Sequence, residues 1–75
     1  MYEHMRGLRE DKDLSQEQVA ELLQVHQTTY SDYELGNLNI PASVLIRLAD
    51  YYTTSVDYLL GRTDEYRPYP PGRRK

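Results

Sequence analysis

The 75-residue sequence predicts an all-α fold: one compact domain of five short helices over residues 1–61, with helices two and three forming a helix-turn-helix. Three observations carry that prediction. Apolar residues recur three and four positions apart through most of this stretch, the period of a helix face and not of a strand. Helix start signals at Ser15, Pro41 and Thr54, and stop signals at Gly36 and Gly61, cut the stretch into short pieces. The connections between the pieces are also short, as in compact helical domains.

The first helix is expected from Met1 to Asp11, with Tyr2, Met5 and Leu8 as one apolar stripe, and Lys12-Asp13 as a connector. The second opens at Ser15. Ser15 and Gln18 fit a capping box, in which the hydroxyl accepts the backbone N–H three residues on and the amide reaches back. Val19, Leu22 and Leu23 supply its apolar face, and Ala20 is small enough for another helix axis to come close. Gln24-Val25 makes the turn.

The third helix runs from about Gln27 to Leu35. Thr28, Thr29 and Tyr30 give it weak intrinsic propensity, so tertiary packing must hold it. Tyr30 and Tyr33 share one face and are read as core. Gly36 is placed to end the helix in a left-handed conformation. Asn37 to Ile40 form a loop. Pro41 falls in the first turn of a fourth helix, where its missing N–H has no intrahelical partner. Val44, Leu45, Leu48, Ala49 and Tyr52 follow helical spacing. Thr54 and Asp57 form a second capping box, opening a last short helix with Val56, Leu59 and Leu60 on its apolar side. From Arg62 the chain turns polar and then Pro-rich (RPYPPGRRK), so residues 62–75 are expected to be a flexible basic C-terminal tail.

Composition excludes several functions. There is no Cys, hence no disulfide and no thiolate metal site, and His4 and His26 have no partners at metal-ligand spacing. No metal or cofactor is expected. No apolar run approaches the roughly 20 residues that span a bilayer, and MYEHMRGLRED has no apolar signal core. No export is therefore expected. The acidic pairs Asp11/Asp13 and Asp64/Glu65 read as solvated surface, and a helical domain this small has little space for a substrate pocket, so no enzyme is expected. All eight aromatic rings are tyrosines, which suit a small core because the ring is buried while the hydroxyl finds a polar neighbour. Charge is uneven. Residues 1–61 carry four basic and ten acidic side chains, a net of −6, and residues 62–75 carry a net of +3.

Two short helices joined by a 3–4 residue turn can place the second in the major groove of DNA while the first lies across the backbone. The segment from Leu14 to Gly36 reads this way, yet contains no Lys or Arg. LSQEQVAELL at 14–23, YSDYELG at 30–36, Ile40-Pro41, LADYY at 48–52 and SVDYLLG at 55–61 form a joint pattern. On these residues the chain resembles the Cro/CI-type helix-turn-helix repressors, or XRE family, over roughly Arg6 to Gly61.

That resemblance implies a lambda-repressor-like fold and specific roles. Gln16 matches a residue that meets a phosphate and buttresses the recognition helix. Gln27, Thr28, Thr29, Ser31 and Asp32 match recognition-helix positions facing DNA, where Gln can pair with adenine, Thr with a thymine methyl and Asp with cytosine N4. Asn37 and Asn39 match a loop that touches the backbone, and Arg9 and Glu34 match an ion pair linking helices one and three. Gln24 and His26 depart from the pattern: relatives often have Gly at the first and a Ser or Thr cap at the second.

The implied function is a sequence-specific transcriptional regulator, a repressor, that binds double-stranded DNA as a homodimer through a face around Tyr58 to Tyr66. Positive charge for the phosphates would come from Arg6, Lys12, helix N-termini or Arg73-Arg74-Lys75. The alternative is a protein-interaction module, such as an antitoxin or a helix-turn-helix with lost or weak DNA binding, which the acidic body favours.

Overall fold

A computed structural model describes residues 1–68 of the chain. The basic cluster Arg73-Arg74-Lys75 therefore lies outside the described residues. The helices are α1 (Glu3–Asp11), α2 (Gln16–Leu23), α3 (Gln27–Leu35), α4 (Ala42–Tyr52) and α5 (Val56–Leu59). All five predicted helices are present in the predicted order. α2 packs on α3, α4 on α5, and α1 lies against both α3 and α5.

The core draws on every helix: Met5 from α1; Val19, Ala20 and Leu23 from α2; Tyr30 and Tyr33 from α3; Leu48, Ala49 and Tyr52 from α4; and Leu59 from α5. Ala20, buried to 2 % exposure, leaves room for the neighbouring helix, as its size predicts. Leu22 departs from the predicted face. It is 40 % exposed and borders a shallow groove with Leu23, Arg47, Asp50 and Tyr51, while Leu23 itself is buried.

Local signals set most boundaries. The Ser15–Gln18 capping box is formed in both directions: the Ser15 hydroxyl accepts from Gln18 N–H at 3.1 Å, and Gln18 Oε1 accepts from Ser15 N–H at 2.8 Å. At the other end of α2, Arg47 donates to the Leu22 carbonyl at 3.0 Å, placing a cation at the negative end of the helix dipole. α3 spans the predicted residues. His26 is its N-cap and makes no side-chain capping bond, so that end lacks the usual acceptor.

Three boundaries differ from the sequence reading. α1 begins at Glu3, not Met1. Tyr2 is extended, and its N–H donates to the Glu34 carbonyl at 2.8 Å, which ties the start of α1 to the end of α3. Pro41 is the N-cap of α4 and stays extended (φ −58°, ψ 147°), so it precedes the first turn. The second capping box does not form on Thr54 and Asp57. Ser55 is the N-cap of α5, its hydroxyl accepting from Tyr58 N–H at 3.0 Å. Thr54 is buried and donates its hydroxyl to the Tyr66 carbonyl instead.

Three non-glycine residues take positive φ where helices close: Asp13, just past α1 at φ 57°, is a type that tolerates this region, and the other two strain the backbone. Gln24 caps α2 at φ 60° and Thr53 caps α4 at φ 55°, where Gly36 and Gly61 take positive φ without a Cβ penalty. Thr53 is the more costly, because a β-branched residue is a poor occupant of this region. Thr53→Gly should stabilise the domain by about 1 kcal/mol, once glycine's extra unfolded-state entropy is set against the relieved strain. A Tm higher by about 4–8 °C in a thermal melt is the expected result.

Candidate nucleic-acid interface

α3 divides cleanly by face. Tyr30, Tyr33 and Glu34 are buried, while Gln27 and Thr28 are exposed and Thr29, Ser31 and Asp32 are half-buried. Helical spacing puts Gln27, Thr28 and Ser31 on the outward side, with the two tyrosines anchoring the back. The outward side chains are amides and hydroxyls, which donate and accept hydrogen bonds without carrying charge.

Glu34 is the anchor of the unit. At 2 % exposure its carboxylate needs several donors, and it has them from three helices. Arg9 of α1 donates from Nε at 2.7 Å and from Nη2 at 3.4 Å. Gln16 of α2 donates from Nε2 at 3.1 Å. Tyr30, one turn back on α3, donates its hydroxyl at 2.7 Å. Arg9 also donates from Nη1 to the Leu14 carbonyl at 2.9 Å, so the guanidinium holds the α1–α2 connection as well. The ion pair implied between Arg9 and Glu34 is thus present and structural in position.

The charges follow from these contacts. Burial pushes the Glu34 carboxyl up, but hydrogen bonds from Arg9, Tyr30 and Gln16 outweigh it, and the net value lies below the ordinary 4.5. The hydrogen bond to Glu34 raises Arg9 above its ordinary value. Burial, then the bond to Glu34, raises the Tyr30 hydroxyl. Burial, then the charge of Glu34, pushes Tyr52 up to about 12, and the Tyr52 hydroxyl has no hydrogen-bond partner among the described residues.

The other implied positions are less uniform. Asn37 and Asn39 are exposed in the loop after α3. Asn37 donates its side-chain amide to Asp32 at 3.4 Å, and its backbone N–H to the Asp32 carbonyl at 2.9 Å. Asp32 and Asn37 are thereby linked across the C-terminal end of α3. Gln16 is half-buried in the first turn of α2, held by Glu34. The cations expected to assist are engaged elsewhere. Arg6 pairs with Glu10 at 3.1 Å, and the Lys12 ammonium sits 5.8 Å from the centre of the Tyr51 ring on α4. Arg62 pairs with Asp57 at 3.8 Å and Arg67 with Glu65 at 2.9 Å. With Arg9 and Arg47, all six Lys and Arg side chains among the described residues have a partner within the chain.

Sequence reading placed Tyr30 in the core but missed its hydroxyl bond. The signal was available in the i, i+4 spacing of Tyr30 and Glu34, which puts the two side chains one above the other on a helix.

Two helices packed through a short left-handed turn, with a polar outward face on the second, define a helix-turn-helix domain. The helix-turn-helix family model HTH_3 matches residues 5–59. The chain is 38 % identical over 73 residues to the uncharacterized HTH-type transcriptional regulator YobD of Bacillus subtilis (strain 168), covering 97 % of this chain and 63 % of that one. It is 34 % identical over 68 residues to the HTH-type transcriptional regulator AnsR of the same organism, covering 91 % and 59 %. It is 42 % identical over 60 residues to the control protein C.SmaI of Serratia marcescens, covering 80 % and 71 %. No solved structure matched at comparable significance. The chain belongs to the HTH_3, or XRE and Cro/CI-type, family of helix-turn-helix transcriptional regulators, a family of regulators and not of enzymes. It spans about three-fifths of the length of the first two relatives, at 63 % and 59 %. Among the described residues no helix is long and apolar enough to cross a membrane.

The depressed Glu34 carboxyl makes a pH prediction with a definite sign. A carboxyl whose folded pKa lies below its unfolded value of 4.5 stabilises the fold fully above 4.5, and that stabilisation is lost as pH falls through the lower folded value. Glu34→Gln should be less stable than wild type at pH 7, by about 3–5 kcal/mol, because Arg9 loses its counter-charge in a half-buried position. The gap in urea midpoint should narrow steadily below pH 4.5. A gap independent of pH contradicts the assignment.

Proposed function

We propose that this chain is a sequence-specific DNA-binding transcriptional regulator that acts as a homodimeric repressor in the cytoplasm, at the nucleoid. The observation that carries the reading is the outward face of α3: Gln27 and Thr28 are exposed, with Ser31 half-buried beside them, while Glu34, Tyr30 and Tyr33 anchor the helix behind them. Membership of the family supplies the context in which such a face reads bases.

In this reading Gln27, Thr28, Thr29, Ser31 and Asp32 meet base edges, and Gln16, Asn37 and Asn39 meet the phosphate backbone. Gln27 pairs with the N6 and N7 edge of adenine, and Thr28 touches a thymine methyl or donates to a base. Two copies place their α3 helices in successive major grooves about 34 Å apart, on a near-palindromic site. The self-association face is α5 and the segment after it, around Tyr58 to Tyr66. Base reading by neutral groups suits a body of net −6, since the phosphate term is carried by few cations. That same acidity favours the alternative of a protein-interaction module, and the binding measurement separates the two.

The test is selection from a randomised duplex pool at low salt, followed by fluorescence anisotropy on the enriched site. A half-site repeated about one helical turn apart is the expected outcome. Gln27→Ala should then weaken specific binding by about 1–3 kcal/mol and relax preference at one base pair. Recovery of no enriched motif from a dimeric sample sinks the DNA reading in favour of the interaction module.

A further inference from the structure

The four hydrogen bonds on the Glu34 carboxylate are not equal. Oε2 takes two short ones, from Arg9 Nε and from the Tyr30 hydroxyl, both at 2.7 Å. Oε1 takes two longer ones, from Gln16 Nε2 at 3.1 Å and from Arg9 Nη2 at 3.4 Å. A guanidinium and a carboxylate left to themselves favour a fork of two parallel bonds. Here one prong is 0.7 Å longer than the other.

The Tyr30 hydroxyl reaches Oε2 from one turn back on the same helix, so the oxygen that takes the short Arg9 bond also takes the tyrosine, and Oε1 is left to the Gln16 amide and the longer Arg9 prong. Tyr52 is the natural comparison, because it too is a buried tyrosine, at 7 % exposure against 0 % for Tyr30, but its hydroxyl bonds to no group among the described residues. An apolar side chain would fill the Tyr30 position, so the core does not require that hydroxyl for volume.

We infer that the Tyr30 hydroxyl is a positioning group for the Gln16 amide, acting through Glu34 from one helix of the motif to the other. With one Nε2 proton held by Glu34, the second proton and Oε1 of Gln16 are fixed in direction at the first turn of α2. A donor already fixed loses little rotamer freedom when it meets a phosphate oxygen. Without the hydroxyl, Glu34 relaxes into an even fork with Arg9, Oε1 moves to Nη2, and the Gln16 amide is released. The consequence for affinity rests on the DNA-binding reading above; the geometry of the amide is a property of the free protein.

The experiment uses the ¹⁵N-labelled full chain as wild type, Tyr30→Phe and Tyr52→Phe. The Gln16 side-chain amide should give two well-separated, slowly exchanging proton signals in wild type and in Tyr52→Phe. In Tyr30→Phe they should collapse toward the values of free glutamine. On the selected duplex, Tyr30→Phe should weaken binding about two- to tenfold, the cost of fixing one flexible side chain. Gln16→Ala should weaken it at least as much, and the double variant no further, although Tyr30 and Gln16 share no hydrogen bond.

Unchanged Gln16 signals in a folded Tyr30→Phe overturn the inference. So do additive losses in the double variant. If wild type binds no duplex, the DNA reading fails while the amide signals still decide this one. If Tyr30→Phe does not fold, Tyr30→Met, which also fills the core without a hydroxyl, takes its place, and the Gln16 amide signals should collapse there too. Unchanged signals would mean no role for the Tyr30 hydroxyl.

Discussion

A single buried carboxylate governs the motif. Glu34, at 2 % exposure, is where α1, α2 and α3 meet, and each contributes a donor: Arg9, Gln16 and Tyr30. A carboxylate taken out of water without partners would cost several kcal/mol. Every arrangement of the three helices that leaves a donor behind is therefore penalised. The penalty is directional in a way apolar packing is not, because four hydrogen bonds fix angle as well as distance. The backbone adds to it, since the Tyr2 N–H bonds the Glu34 carbonyl and fastens the start of α1 to the same residue.

This matters because α3 has little else to hold it. Thr28, Thr29 and Tyr30 are poor helix formers, and His26 offers no capping bond. A helix that presents polar side chains outward buries only one narrow stripe, here Tyr30 and Tyr33. Rigidity in its C-terminal half must come from Glu34. The side chains proposed to read bases are then presented on a fixed support, with the ordering entropy met on folding and not on binding. The same support leaves the outward face of α3 without a cation. Arg9 is committed to Glu34, and the remaining Lys and Arg among the described residues are engaged with Glu10, Tyr51, Leu22, Asp57 and Glu65.

Much of the fold was legible in the sequence, for reasons that differ by element. The Ser15–Gln18 capping box is a contact three residues long, so its residues predict it without tertiary information. The end of α3 at Gly36 is legible in the same way. Thr54 and Ser55 show the limit. Two adjacent hydroxyl residues offer equally good local caps, and the choice falls to Ser55 because the Thr54 N–H closes α4 on the Ala49 carbonyl and its hydroxyl is taken by the Tyr66 carbonyl. Leu22 shows another limit: periodicity names an apolar face, but the tertiary packing around α2 decides that Leu23 is covered and Leu22 is not. In the candidate interface, the exposure of Gln27 and Thr28 follows from spacing alone. The Asp32–Asn37 contact and the sharing of Glu34 between Gln16 and Tyr30 depend on how helices and loop sit in space, which no local pattern encodes.

The most direct measurement of the central claim is native-state hydrogen exchange of the wild-type chain over a range of urea concentrations. If Glu34 fastens α3 to α1 and α2, the amides of Tyr33 to Leu35 should exchange only through the same large, urea-sensitive opening as those of Val19 to Leu23. The first turn of α3 should still fray, since His26 leaves it uncapped. Exchange of Tyr33 to Leu35 by a small opening insensitive to urea, while α2 remains protected, would contradict the account.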